Sequence, residues 1–232
     1  GCGPGAGSRH PIDRHQCRLC LTVSISRFLR DRRVWETIQS RVLEQFAASG
    51  QPAVRIWSAG CARGEEAYSM RMVWEKAKHD GLTLPDLEIL ATDINPSYLE
   101  AAQAGRYGST SVKELNTADK IRFFDISRGG KQFMIKPILR SGITLRRLDL
   151  CENLPDQQFD LILMRNNILT GNTGGGMTCV GDGMVTSCND VWGNPDGDFL
   201  NMEPGAGDLS ADPLFVDAEA GELLLRGPAV VA

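Results

Sequence analysis

The chain of 232 residues is long enough to bury one large core or two small ones. Hydrophobic residues make up 42% and charged residues 23%, which argues against wholesale disorder and against a coiled coil. No apolar run approaches the roughly 20 residues that a membrane helix needs, so no integral membrane segment is expected.

The net charge of −4 conceals an asymmetry. Residues 1–33 hold seven Arg against Asp13 and Asp31, whereas residues 171–232 hold seven Asp and three Glu against Arg226 alone. Twelve of the 25 glycines also follow residue 170. Composition and charge change together, which places a boundary near Thr170. The basic residues at 9–33 have no interleaved aromatics beyond Phe28, a poor footprint for nucleic acid, and none is expected as a partner. Seven cysteines are an odd set in a chain too long to need disulfide staples, and a reducing cytoplasm is the expected compartment. Gly1 to Ser8 has no basic region leading into an apolar one, so no secretory leader is expected. Cys17-Arg-Leu-Cys20 has metal-ligand spacing, with His10 and His15 upstream. Without a second knuckle it reads as part of a solvated tail over residues 1–20, and no metal is expected.

Along the chain, Val34, Ile38, Val42 and Phe46 recur every four residues and predict a helix ended by Gly50 and Pro52. Ala53 to Ser58 predicts a strand, followed by the turn Ala59-Gly60-Cys61-Ala62-Arg63-Gly64. A helix is predicted over Glu65–His79, burying Ala67, Met70, Val73, Trp74 and Ala77. Leu87 to Thr92 is a second strand, closed by Asp93. This order is a βαβ unit and implies a parallel sheet. Asn95-Pro96-Ser97 opens a helix to about Ala104. Glu114–Phe124 reads as helical, and Gln132–Ile135 with Ile143–Leu145 as short strands around the turn Arg128-Gly129-Gly130. Phe159–Met164 is a buried strand ending at Arg165-Asn166.

A glycine turn between strand and helix admits close backbone approach to a ligand, and an acid closing the next strand can accept from ribose hydroxyls. Gly60, Gly64 and Asp93 have those places, yet Gly60-x-x-x-Gly64 alone is as consistent with a tight turn. Glu65 and Glu66 open the following helix. Capping is the plain reading, but their charge opposes a pyrophosphate and suits a ligand with a cationic end. S-adenosylmethionine is such a ligand, and it is preferred over NAD or ATP.

Leu21-Thr22-Val23-Ser24-Ile25-Ser26-Arg27-Phe28-Leu29-Arg30-Asp31, Ile56 to Ser69, Ala91-Thr92-Asp93-Ile94-Asn95 and Phe159 to Asn166 occur in the order found in the CheR-type chemotaxis receptor methyltransferases, and residues 21–169 resemble that family. The resemblance implies a Rossmann-like S-adenosylmethionine methyltransferase core over 21–170, here truncated, with a small inserted β-subdomain within 105–148. It implies methyl transfer to glutamate side chains in the cytoplasmic domain of a chemoreceptor. By position, Ser26 and Arg30 would reach the cofactor, with Arg30 near the transferred methyl group. Glu65 would meet the ammonium, Asp93 the ribose, and Asp149-Leu150 the adenine. Asn166 would line the site of transfer, making Arg30 and Asn166 the catalytic pair. The family's N-terminal helical domain is absent from this expectation.

Residues 171–232 read as a Gly/Asn/Asp-rich tail. Asn189-Asp190-Val191-Trp192-Gly193-Asn194 and Asp208 to Asp217 resemble the last rungs of right-handed parallel β-helix proteins. Two other readings follow from these features: a cofactor- or receptor-binding module without turnover, and a fragment of an extracellular β-helix protein.

Overall fold

In a computed structural model, residues 26–150, 154–165, 168–170, 177–178, 184–187, 190–192, 199–200, 210, 215–217 and 222–225 are described. The chain divides into two units, Val23–Ala211 and a second made of Gly1–Thr22 with Asp212–Ala232.

The first unit opens with the helices α1 (Arg32–Thr37) and α2 (Leu43–Ala48), joined by a π-helical stretch at Ile38–Val42. Residues four apart advance by about 40° too much on a 3.6-residue turn. A strict spacing of four would therefore drift off one face, and the wider π turn offsets the drift. Val34 and Ile38 are buried by it, with Val42 and Phe46 packed on the same core.

Strand β1 (Ala53–Ala59), helix α3 (Glu65–His79), strand β2 (Asp86–Asp93) and helix α4 (Pro96–Ala104) follow. The α3 helix carries Glu65 and Glu66 in its first turn and Lys76, Lys78 and His79 in its last, the arrangement its dipole favours. At the start of α4 the Asn95 side chain accepts from Ser97 N, and Gly105 ends the helix at φ 64.

An antiparallel three-stranded sheet comes next, with β3 (Arg106–Gly108), β4 (Phe124–Ile126) and β5 (Gln132–Ile135) in the order β3-β5-β4. The intervening helix α5 spans Thr117–Phe123 and not Glu114–Phe124. Asn116 accepts from Asp119 N and fixes the later start, while residues 109–115 form turns. After helix α6 (Pro137–Arg140), strand β6 (Ile143–Arg147) pairs with β2. Ile143–Leu145 is thus not a strand around the Arg128–Gly130 turn; it belongs to the central sheet.

Strand β7 (Leu161–Arg165) and strand β10 (Met184–Ser187) complete a central sheet ordered β10-β7-β1-β2-β6, in which every pairing is parallel. Burial along β1 and β2 is nearly continuous at their C-terminal ends, as expected of a sheet covered on both faces. One face packs α1–α3 through Trp35, Ile38, Met70 and Trp74. The other carries Trp57, Leu90 and Met164. The antiparallel sheet has its own aromatic core, which Phe28 and Tyr68 share with Tyr107, Phe124 and Phe133.

Beyond residue 170 the sheet continues through β10, so the compositional change near Thr170 does not end it. The paired segments β8 (Ile168–Thr170) with β11 (Asp190–Trp192) and β9 (Met177–Thr178) with β12 (Phe199–Leu200) are also parallel. In the second unit, β13 (Phe215–Asp217) and β14 (Glu222–Leu225) form an antiparallel ribbon.

Gly64, at φ +87, has no room for a side chain: a Cβ there would lie 2.9 Å from both Ala102 Cβ and Tyr68 Cε2. Gly64→Ala combines left-handed backbone strain with overpacking and is expected to cost about 2–4 kcal/mol. Thermal unfolding followed by circular dichroism would show the loss; an unchanged melting temperature would contradict the packing described.

Candidate functional site

The turn after β1 is fastened to the end of β2. Gly60 (φ 76), Ala62 (φ 48) and Gly64 (φ 87) all sit in the left-handed region. Gly60 N and Cys61 N both donate to Thr92 O, at 2.9 and 2.8 Å. Asp93 Oδ2 accepts from Ala62 N at 2.8 Å, and its Oδ1 accepts from Asn95 N at 2.9 Å. A carboxylate has about four lone-pair directions, so these bonds leave acceptor capacity for hydroxyl donors. Burial pushes the Asp93 carboxyl up, partly offset by the backbone N–H groups of Asn95, Ala62 and Ile94. Leu148 N donates to Asp93 O at 3.1 Å and brings the segment carrying Asp149 and Leu150 alongside. Leu150 packs on the cluster of Trp57 and Leu90. Gly60, Asp93, Asp149 and Leu150 therefore meet at the C-terminal ends of β1, β2 and β6, where ligands sit in open parallel sheets.

Glu65 is the first residue of α3 and only 1% exposed. Its Oε1 accepts from Ser111 Oγ at 3.2 Å, and the Ser26 hydroxyl is near enough to favour the ionised carboxylate. Oε2 is buried with no hydrogen-bond partner. Burial pushes this carboxyl up, opposed by its own backbone N–H, Ser26, Arg63 and Ser111. A buried acceptor left without a donor is costly, and more so when charged. An ammonium group placed against Oε2 would remove that cost, whereas a phosphate would add to it. Glu66 has a different task, since its Oε1 accepts from Ser58 Oγ at 2.7 Å.

Arg30 lies on a turn flanked by two non-glycine residues at positive φ, Leu29 (51) and Asp31 (58). Such strain persists only where neighbours enforce it. Here Leu29 N donates to Ser69 Oγ at 2.9 Å, Ser69 Oγ donates to Glu65 O at 2.6 Å, and Trp35 Nε1 donates to Arg30 O at 2.7 Å. Phe28, fully buried, packs edge-on against Tyr107 and Phe124 at 4.8 and 5.1 Å. Ser26 and Arg30 thus share the neighbourhood of Glu65 through Ser69. Asn166 lies outside the described residues, as do His10, His15, Cys17 and Cys20.

Ser69 and Ser111 have no place in the sequence-based site. Ser69 stands inside a recognisable motif but looks like any polar residue of an amphipathic helix. Ser111 is 46 positions from Glu65, in a stretch with no periodic signal. A surface concavity bounded by Arg33, Glu36, Gln39 and Arg41 lies at α1 and the π turn and shares no residue with this site. Among the described residues, no group of three or more His, Cys, Asp or Glu is placed to hold a metal ion. No helix among them is long and apolar enough to cross a membrane.

The family model described as CheR methyltransferase, SAM binding domain, matches residues 24–170. A protein named chemotaxis protein methyltransferase from Listeria monocytogenes is 33% identical over 149 residues, covering 64% of this chain and 55% of its own. Chemotaxis protein methyltransferase 1 of Pseudomonas aeruginosa is 31% identical over 154 residues, covering 64% and 56%. The protein of that name in Borreliella burgdorferi is 32% identical over 145 residues, covering 60% and 51%. The chain spans about half the length of the curated relatives it matches. The matched segment holds the glycine turn, Glu65 and Asp93 together, and an S-adenosylmethionine with ammonium, ribose diol and no phosphate suits that donor set.

Because the folded state holds the Glu65 carboxyl above its ordinary range, it binds more protons than the unfolded chain between the two values, and stability falls as pH rises through that window. Below about pH 4.3, the ordinary glutamate value, the penalty is gone. Glu65→Gln is therefore expected to melt higher than the parent at pH 8 without ligand, with the gain shrinking toward pH 4. A lower melting temperature at pH 8 would show that the carboxylate is not buried at a cost.

Proposed function

The chain belongs to the CheR methyltransferase family, and on that premise we propose that it transfers a methyl group from S-adenosylmethionine to a glutamate side chain in the cytoplasmic domain of a chemoreceptor. The observation that carries the reading is the orphaned Oε2 of Glu65, at the start of the helix that follows the glycine turn, whose Ala62 N donates to Asp93. Glu65 would hold the ammonium of the cofactor, Asp93 the ribose hydroxyls, and Asp149 with Leu150 would flank the adenine. Ser26 would complete the wall beside Glu65. When bound, S-adenosylmethionine supplies a methyl group made electrophilic by its sulfonium.

The acceptor glutamate, with an ordinary pKa of about 4.3, is ionised near pH 7 and needs no general base. The protein's work is alignment and the exclusion of water. Arg30, about one-third exposed on its strained turn, would hold the incoming carboxylate, with Asn166 lining the same place. The antiparallel sheet of β3, β4 and β5 is the surface on which a receptor segment would dock, as some family members use theirs. A cytoplasmic location accords with such a partner.

Titration of the full chain with S-adenosylhomocysteine by calorimetry tests this reading. Saturable binding is expected, weakened about 10- to 100-fold by Asp93→Ala, the worth of one or two hydrogen bonds to a charged group. Methyl transfer to receptor glutamates should then be lost in Arg30→Ala. Binding without transfer would leave the chain a cofactor-binding module, and no binding by a folded sample would overturn the site.

A further inference from the structure

Glu65 is held from two directions, and one of them is the inserted β-subdomain. Ser111 follows β3 in the turns leading to α5, and its hydroxyl donates to Glu65 Oε1 at 3.2 Å. Its carbonyl oxygen accepts from Phe28 N at 2.9 Å, on the strained segment between Ser26 and Arg30. One residue therefore grips both the buried acid and the segment that carries Ser26 and Arg30. With Oε1 occupied, the free Oε2 is the oxygen presented to a cation.

We propose that Ser111 is a positioning residue for the cofactor's amino-acid end: it fixes the Glu65 carboxylate so that Oε2 faces the ammonium, and it makes the inserted subdomain a part of the cofactor site. This rests on the reading of Glu65 as the ammonium's partner. The hydroxyl also favours the ionised carboxylate, so its loss should raise further a carboxyl already held up by burial. The other groups around Glu65 leave its titration readable. Cys61 and Tyr107 are pushed well above their ordinary values by burial and stay neutral, while the Asp93 carboxyl, also raised by burial, would act alike on S-adenosylhomocysteine and 5′-methylthioadenosine because both carry the ribose. Arg27 and Arg30, on the Ser26 segment, face Glu114 and Asp31 at 3.6 and 3.9 Å.

The test measures binding of S-adenosylhomocysteine and of 5′-methylthioadenosine, which lacks the amino-acid end, to the full chain from pH 5 to 8.5. Ser111→Ala is expected to weaken the first about 3- to 10-fold, the worth of one hydrogen bond, and to move the acid limb of its binding curve to higher pH. Affinity for 5′-methylthioadenosine should be unchanged, and Ser111→Thr should restore the parent profile. Equal weakening of both ligands, or an unmoved acid limb, would reduce Ser111 to a structural residue and overturn the proposal. Glu65→Gln separates the two claims: if it leaves S-adenosylhomocysteine binding intact, the assignment of Glu65 itself fails.

A separate observation concerns the segment after β6. Ile162 pairs with Met184, Ile168 with Asp190 and Met177 with Phe199, each partner standing 22 positions later. The sequence repeats with the same period: Asn167, Gly171, Asn172 and Gly175 recur as Asn189, Gly193, Asn194 and Gly197. The next period breaks, with Ala211, Phe215, Val216 and Glu219 in those places. We infer that the strands β7, β8 and β9 and their partners β10, β11 and β12, each 22 positions later, stack as the strands of two successive coils of a parallel solenoid, with β7 serving also as a strand of the central sheet. Register partners in adjacent strands are about 4.8 Å apart, within disulfide reach. Leu169→Cys with Val191→Cys in the full chain should therefore yield the 169–191 linked peptide on mild oxidation. Leu169→Cys with Asp190→Cys, slipped by one residue onto the opposite face, should not. Equal yields, or none from the first pair, would overturn the coil.

Discussion

A carboxylate buried at the first turn of a helix, with one oxygen satisfied and the other not, is the constraint around which this domain is organised. Placing Glu65 at the start of α3 puts it in the field of the helix N-terminus, which offsets part of the desolvation cost but not all of it. Hydroxyls from two distant parts of the chain, Ser26 before α1 and Ser111 after β3, offset a further share, and the rest stands as the unsatisfied Oε2. A residue that only capped the helix would be solvated. Glu66, bonded to Ser58, shows what capping and packing alone would require of the neighbouring position. Burial with an open acceptor is instead the preparation of a cation site, whose energy is recovered only when the cation arrives.

The backbone strain lies around the same acid. Leu29, Asp31 and Ala62 are the non-glycine residues at positive φ among those described, and each borders the site. The turn of Leu29 and Asp31 is held by Ser69, which also bonds the carbonyl of Glu65. Ala62 is held by Asp93. The strain therefore draws on bonds to the very residues proposed to contact the cofactor, which couples the geometry of the glycine turn to that of the Arg30 turn. The parallel sheet supplies the fixed frame: β1 and β2 are in register from Ala53 to Ala59, so Gly60 and Asp93 arrive at the same level.

The parts legible in the sequence were those governed by local rules. The helix over Glu65–His79 and the cap at Asn95 follow from periodicity and capping chemistry, and the structure has them at the expected residues. The βαβ order led directly to a parallel sheet and to Gly60 and Asp93. Local rules failed where a contact over a long sequence distance decides. Ile143–Leu145 carries the alternation of any short strand, and only its pairing with β2 distinguishes a central strand from an inserted one. The start of α5 moved because Asn116 competed successfully for the cap against the apolar pattern upstream. Ser111 left no local trace at all, since its role exists only once the chain brings it to Glu65.

The edge of the central sheet shows the same priority of pairing over composition. A change in glycine content and charge near Thr170 suggests a boundary, yet parallel pairing requires only an accessible row of backbone donors and acceptors on β7. An unpaired edge on a strand as apolar as Leu161-Ile-Leu-Met164 is an invitation to association. Met184–Ser187 covers it from within the chain. Residues 166–183 between β7 and β10 are long enough for the helical crossover usual between neighbouring parallel strands, yet they hold the short strands β8 and β9. The pairing of β10 with β7 thus joins one strand from beyond Thr170 to the central sheet by backbone hydrogen bonds.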